Sequence, residues 1–116
     1  MENRREVPRY ACELPAHLSL TDGQVVGGLT VTGLGVKGCG TTGTGVPAVR
    51  QKGNIVIEWQ GWQFQAEAEV VWKKKDILAG FQFTSVDKDN QELLIRICTH
   101  HPLQPHGTIP KASEKE

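Results

Sequence analysis

Leu14, Ala16, Leu18 and Leu20 alternate with Glu13, Pro15, His17 and Ser19, the period of two expected of a strand with one wet face. Pro15 has no backbone N–H to give, so it predicts an edge position or a bulge. A turn signal, Thr21-Asp22-Gly23, follows, and residues 25–31 read as a second strand that brings Thr30 and Thr32 to one face at its end. Residues 33–45 contain six glycines among several threonines. That composition disfavours a regular helix and predicts a loop with short extended pieces.

The longest regular pattern comes next. Ile55, Ile57 and Trp59 alternate, Gln60-Gly61 supplies a tight turn, and Trp62, Phe64, Ala66, Ala68, Val70 and Trp72 alternate with mostly polar neighbours. Residues 73–76 form a further turn, after which Ala79, Phe81 and Phe83 line the inner face of a last strand. Beyond Val86 the spacing changes to Leu93, Leu94, Ile97 and Cys98, which predicts an amphipathic helix capped by Asp87 or Asp89 and stopped by Pro102. The fold class is all-β: a small antiparallel barrel followed by one C-terminal helix. Residues 1–101 read as a single domain, with residues 1–10 a flexible arm and residues 102–116 a polar, flexible tail.

Composition narrows the class of function. The 116-residue chain has room for one modest core. It lacks an apolar run near the roughly 20 residues of a membrane span and the apolar segment of a secretory leader, and both absences predict a cytoplasmic protein. Cys12, Cys39 and Cys98 are odd in number and widely spaced, as expected for reduced thiols. A formal net charge of zero argues against a general nucleic-acid binder, which carries a basic excess. The positive charge is instead local, at Arg4, Arg5 and Arg9 and at Lys73, Lys74 and Lys75, which suits a small anion.

Arg5 and Arg9 are spaced R-x-x-x-R, and the guanidinium fork matches both phosphate oxygens and the O6/N7 edge of guanine. Further on stands Thr30-x-Thr32-x-x-Gly35, then the strand ending Val70-Val71-Trp72, the segment Gly80-Phe81-Gln82-Phe83, and the helix. In this order the chain resembles the PilZ family, bacterial domains that bind the second messenger cyclic di-GMP. The resemblance covers most of the chain. It implies a six-stranded antiparallel β-barrel with a C-terminal helix, and a ligand held between an N-terminal arm and the barrel. By matched position, Arg5 and Arg9 are the arm contacts, and Thr30, Thr32 and Gly35 the barrel contacts. Arg4 adds a third cation, and an arginine there accompanies binding of a stacked nucleotide dimer in the family.

The second motif departs from the family pattern of Asp or Asn, then Ser, then Gly. A carboxylate accepts two hydrogen bonds from guanine N1–H and N2–H, whereas Thr30 offers one uncharged hydroxyl. Losing one charge-assisted contact costs about 1.5–3 kcal/mol, roughly ten- to a hundredfold in affinity. Thr32 keeps the hydroxyl of Ser and adds a stiffening methyl. Gly35 reads equally as a ligand contact or as a turn residue with positive φ.

Trp72 has two readings: a stacking platform for guanine, or a core or rim residue in register with Trp62, Phe64 and Val70. Gly33-Leu34-Gly35-Val36-Lys37-Gly38 matches G-x-G-x-x-G. The glycines and Pro47 that follow forbid the helix a dinucleotide fingerprint requires, so the match is set aside. Cys98, His100 and His101 lack a second ligand pair and read as a solvated helix end rather than a metal site. No constellation resembles a catalytic triad, so no enzyme is expected. The sequence therefore predicts a cyclic di-GMP receptor that orders its arginine arm and signals to a downstream protein, in the motility, attachment or polysaccharide processes the resemblance implies. The alternative is a degenerate adaptor that keeps the barrel and acts without nucleotide. A single-stranded nucleic-acid binder using Trp59, Trp62 and the lysines is a third, disfavoured by charge.

Overall fold

The computed structural model describes residues 9–100; residues 1–8 of the expected arm, with Arg4 and Arg5, and the tail lie outside them, whereas Arg9 precedes β1 and Tyr10 is its first residue. Six strands, β1 (Tyr10–Leu20), β2 (Val25–Gly35), β3 (Gly38–Thr42), β4 (Lys52–Trp59), β5 (Trp62–Lys74) and β6 (Leu78–Ser85), precede helix α1 (Lys88–Thr99). The strands close into a barrel in the order β1-β2-β3-β6-β5-β4, antiparallel at every junction.

The alternating segments pair as their patterns require. Leu14, Ala16, Leu18 and Leu20 face inward, as do Ile55, Ile57, Phe64, Ala66, Ala68 and Val70. Gln60 and Gly61 have φ of 50° and 85°, the two left-handed residues of a primed hairpin turn, and they set Trp59 opposite Trp62. The first turn is held by the Asp22 carboxylate, which accepts from the Gln24 N–H at 3.0 Å. Pro15 sits just past the last β1 residue paired with β4, Ala16, so its missing N–H breaks no ladder on that side.

Helix α1 packs on β5 and β2 and adds Leu94, Ile97 and Cys98 to the core. Asp87 is its cap: its carboxylate accepts from the Asn90 N–H at 2.9 Å. The Asn90 side chain in turn accepts from the Gln65 N–H at 2.8 Å, fastening the helix start to β5. Among the described residues no helix is long and apolar enough to cross a membrane.

Two expectations are corrected. β2 continues to Gly35, so Thr30 and Thr32 lie within the strand rather than at its end. The segment expected to be a loop with short extended pieces contains a full wall strand, β3, paired with β2 on one side and β6 on the other. Glycine here serves close approach: a Cβ on Gly38 would run into the Phe81 backbone carbonyl. Gly33 to Gly38 forms the β2–β3 hairpin with no helix after it, as expected when the dinucleotide motif was set aside.

Candidate functional site

The registers place the outward residues of the barrel wall in cross-strand rows. Ala11, Gly33, Gly40, Gly80 and Trp72 form one row across β1, β2, β3, β6 and β5. Its three central positions carry no side chain. Neighbouring strands lie about 4.8 Å apart, and the three glycines are buried, so the lane is a flat floor on which larger side chains lie. A second row, Thr30–Thr42–Leu78–Lys74, runs on one side of the lane, and Gly35–Gly38–Gln82–Glu69 runs on the other.

Trp72 reaches this wall because β5 is irregular between Val70 and Trp72. Val70 faces the core opposite Phe81, whereas Trp72 pairs with Gly80, and its indole covers the place a Gly80 Cβ would take. Even-numbered register alone would send Trp72 inward with Val70; the intervening bulge reverses it. At 42% exposure Trp72 is on the outside, and Trp62, at the hairpin end of the same strand, is exposed as well.

Arg9, half-buried just before β1, lies over the same lane: its guanidinium is the nearest group to a Cβ built on Gly40, 3.9 Å away. Its charge is also felt by Cys39 beneath. Burial pushes the Cys39 thiol up to about 12, Cys12 adds to this, and Arg9 opposes it.

The structure thus brings Arg9 and Trp72 together across Gly40 and Gly80. Thr32 is exposed at the β2 irregularity between Val31 and Gly33, beside the lane. Thr30 and Gly35 stand one row away on opposite sides. Thr30 is half-buried and paired with Pro15 and Thr42; Gly35 pairs with Gly38 in regular strand, without the positive φ of a turn residue. Among the three lysines of the β5–β6 turn, Lys73 is engaged with the Asp76 carboxylate at 3.0 Å. The part Gly40 and Gly80 play in seating Arg9 and Trp72 went unrecognised in the sequence because it depends on which residues their strands bring alongside.

No group of three His, Cys, Asp or Glu side chains among the described residues is placed to hold a metal ion. The arrangement offers instead a cation beside an aromatic ring on a flat glycine floor, parts suited to a planar, anionic, acceptor-rich molecule.

A family model for the PilZ domain matches residues 3–100. Among solved structures, the PilZ domain of CeSA from a cellulose-synthesizing bacterium is 15% identical with a TM-score of 0.65, covering 78% of this chain and 94% of that one. The PilZ domain of YcgR from Escherichia coli, solved with c-di-GMP, is 18% identical with a TM-score of 0.67, covering 84% and 90%. The Bacillus subtilis inhibitor of motility MotI/DgrA is 15% identical with a TM-score of 0.65, covering 84% of this chain and 51% of that one. No curated protein matches.

Proposed function

Because the chain belongs to the PilZ domain family, we propose that it is a receptor for cyclic di-GMP, which it binds on the outer barrel wall over Gly40 and Gly80. Arg9 and Trp72 flank the nucleotide there, with Thr32 beside it and Arg4 and Arg5 reaching it from the N-terminal segment. Closure of that segment over the ligand creates the surface read by a downstream protein. The observation that carries the reading is that Arg9 and Trp72 lie side by side on the outer wall, the guanidinium over Gly40 and the indole over Gly80, on strands that pair there. A neighbouring fold solved with c-di-GMP supports the choice of ligand.

Calorimetric titration of the whole chain with cyclic di-GMP tests it. Binding at micromolar affinity or better, abolished by Arg5→Ala or Arg9→Ala, is the expected result. Unchanged affinity in both variants removes the site.

One observation favours the second reading, an adaptor that acts through protein contacts alone. β2 and β3 contain no carboxylate, so neither offers guanine N1–H and N2–H a charged acceptor. Thr30→Asp separates the two. An adaptor gains or greatly strengthens nucleotide binding on this change, whereas a receptor changes only modestly.

A further inference from the structure

Arg50, in the connection between β3 and β4, has φ of 79°, a conformation that favours glycine and strains other residues. The local hydrogen bonds show why the backbone bends there. The Gln51 N–H donates to the Ala48 carbonyl at 3.1 Å, closing a turn with Arg50 at its third position, where positive φ is required. The Arg50 N–H donates to the Val70 carbonyl at 2.8 Å, and the Val70 N–H donates to the Gln51 carbonyl at 2.9 Å. Two residues thus oppose one in a bulge whose first residue is left-handed, a place ordinarily held by glycine.

Glycine would make this turn and this bulge with less strain, so the backbone does not explain the arginine. Packing does not explain it either. Arg50 is exposed, and among the described residues its guanidinium makes no hydrogen bond or ion pair. What distinguishes the position is its neighbour. The bulge fastens Arg50 to Val70, and two residues further along β5 Trp72 turns out over Gly80. That separation is one interstrand spacing of about 4.8 Å and roughly 6 Å along the strand, which the three methylenes and guanidinium of an arginine can cover. Arg9 thus lies over β3 and the Trp72 ring over β6, while Arg50, exposed just ahead of β4, stands on the opposite flank of β5 from that ring.

We propose that Arg50 is a further ligand-binding residue, a guanidinium at the Trp72 end of the lane that contacts acceptor oxygens of the bound nucleotide. This rests on the receptor reading above. Backbone strain at an exposed arginine next to Trp72 supports this role.

Arg50→Gly tests the proposal because it separates strain from contact. Cyclic di-GMP titrated into the variant is expected to bind about ten- to a hundredfold more weakly than to the parent chain, while the variant's melting temperature rises by about 4 °C or more as the strain is relieved. Arg50→Lys, which keeps the charge and loses the fork, should fall between. Equal affinity of parent and Arg50→Gly overturns the role of Arg50 and leaves the receptor reading standing. Weaker binding with a lowered melting temperature overturns it too, because Arg50 would then be structural. A parent chain that binds no cyclic di-GMP removes both.

Discussion

The Trp72 indole fills the space in which Gly80 would carry a Cβ. Any side chain at Gly80 must therefore displace the ring from the wall. Gly80→Ala is expected to weaken cyclic di-GMP binding although Trp72 is still present, and Trp72→Ala to weaken it by about 1–3 kcal/mol, roughly five- to 150-fold. Trp72 is substantially exposed, so thermal unfolding of Trp72→Ala should move little. Binding by both variants at parental strength would show that the ring takes no part.

Gly38 and Gly40 stand two residues apart in β3 and are expected to respond oppositely to alanine. A methyl on Gly38 strikes the Phe81 carbonyl, part of the backbone of β6, which cannot step aside alone. The Gly38→Ala barrel should lose at least about 2 kcal/mol in urea unfolding. Gly40→Ala, whose new methyl meets, among the described residues, only the Arg9 guanidinium at ordinary contact distance, should unfold near the parental midpoint.

Acid should loosen the helix through Asp87. Its carboxyl is held below its ordinary value of 3.8 by the Asn90 backbone N–H, and next by the Asn90 side chain. A folded-state value below the unfolded one gives stabilisation that is complete above about pH 4 and is lost as pH falls through the depressed value. Asp87→Asn keeps a capping acceptor that does not titrate. Denaturation followed from pH 6 to pH 2 should show a shallower acid loss in the variant than in the parent; identical slopes would clear Asp87 of any part in it.

The thiols give the alkaline counterpart. Burial, and then the neighbouring Cys98, push Cys12 up to about 12; burial, then Cys12, hold Cys39 at about 12, while burial brings Cys98 to about 11. The folded chain keeps these protons longer than the unfolded chain, whose thiols titrate near 9.0, so stability falls as pH rises above that value. At pH 8 a thiolate fraction of about one in a thousand or less should make iodoacetamide labelling of the native protein at least a hundredfold slower than labelling in urea. Rapid native labelling of Cys39 would show that its strand opens.

The hairpin of β4 and β5 and the helix were legible in the sequence because each repeats its period over many residues: Ile55 to Val70 at two, and Leu93 to Cys98 at the helical spacing. β3 was hidden. Its Gly38, Cys39 and Gly40 read as a loop by propensity, and only the closeness of Phe81 across the ladder shows why small residues belong in a strand there. Trp72 was half legible, since parity along β5 holds as far as Val70 and a bulge leaves no periodic trace. Arg50 had no sequence signal at all. Its interest comes from a backbone angle and from a neighbour some twenty residues later, neither of which is written in local composition.

Closure of the barrel limits how this protein can meet another. β1 is hydrogen-bonded to β2 on one flank and to β4 on the other, and every remaining strand likewise has two companions. A visiting polypeptide finds free strand margin only where a strand overhangs its neighbour, as the first half of β1 does on its β4 side, not along a whole edge. Recognition is left to side chains on the outer surface and to the connecting segments. The closed ring likewise restricts any template for stacking into fibres to those short overhangs.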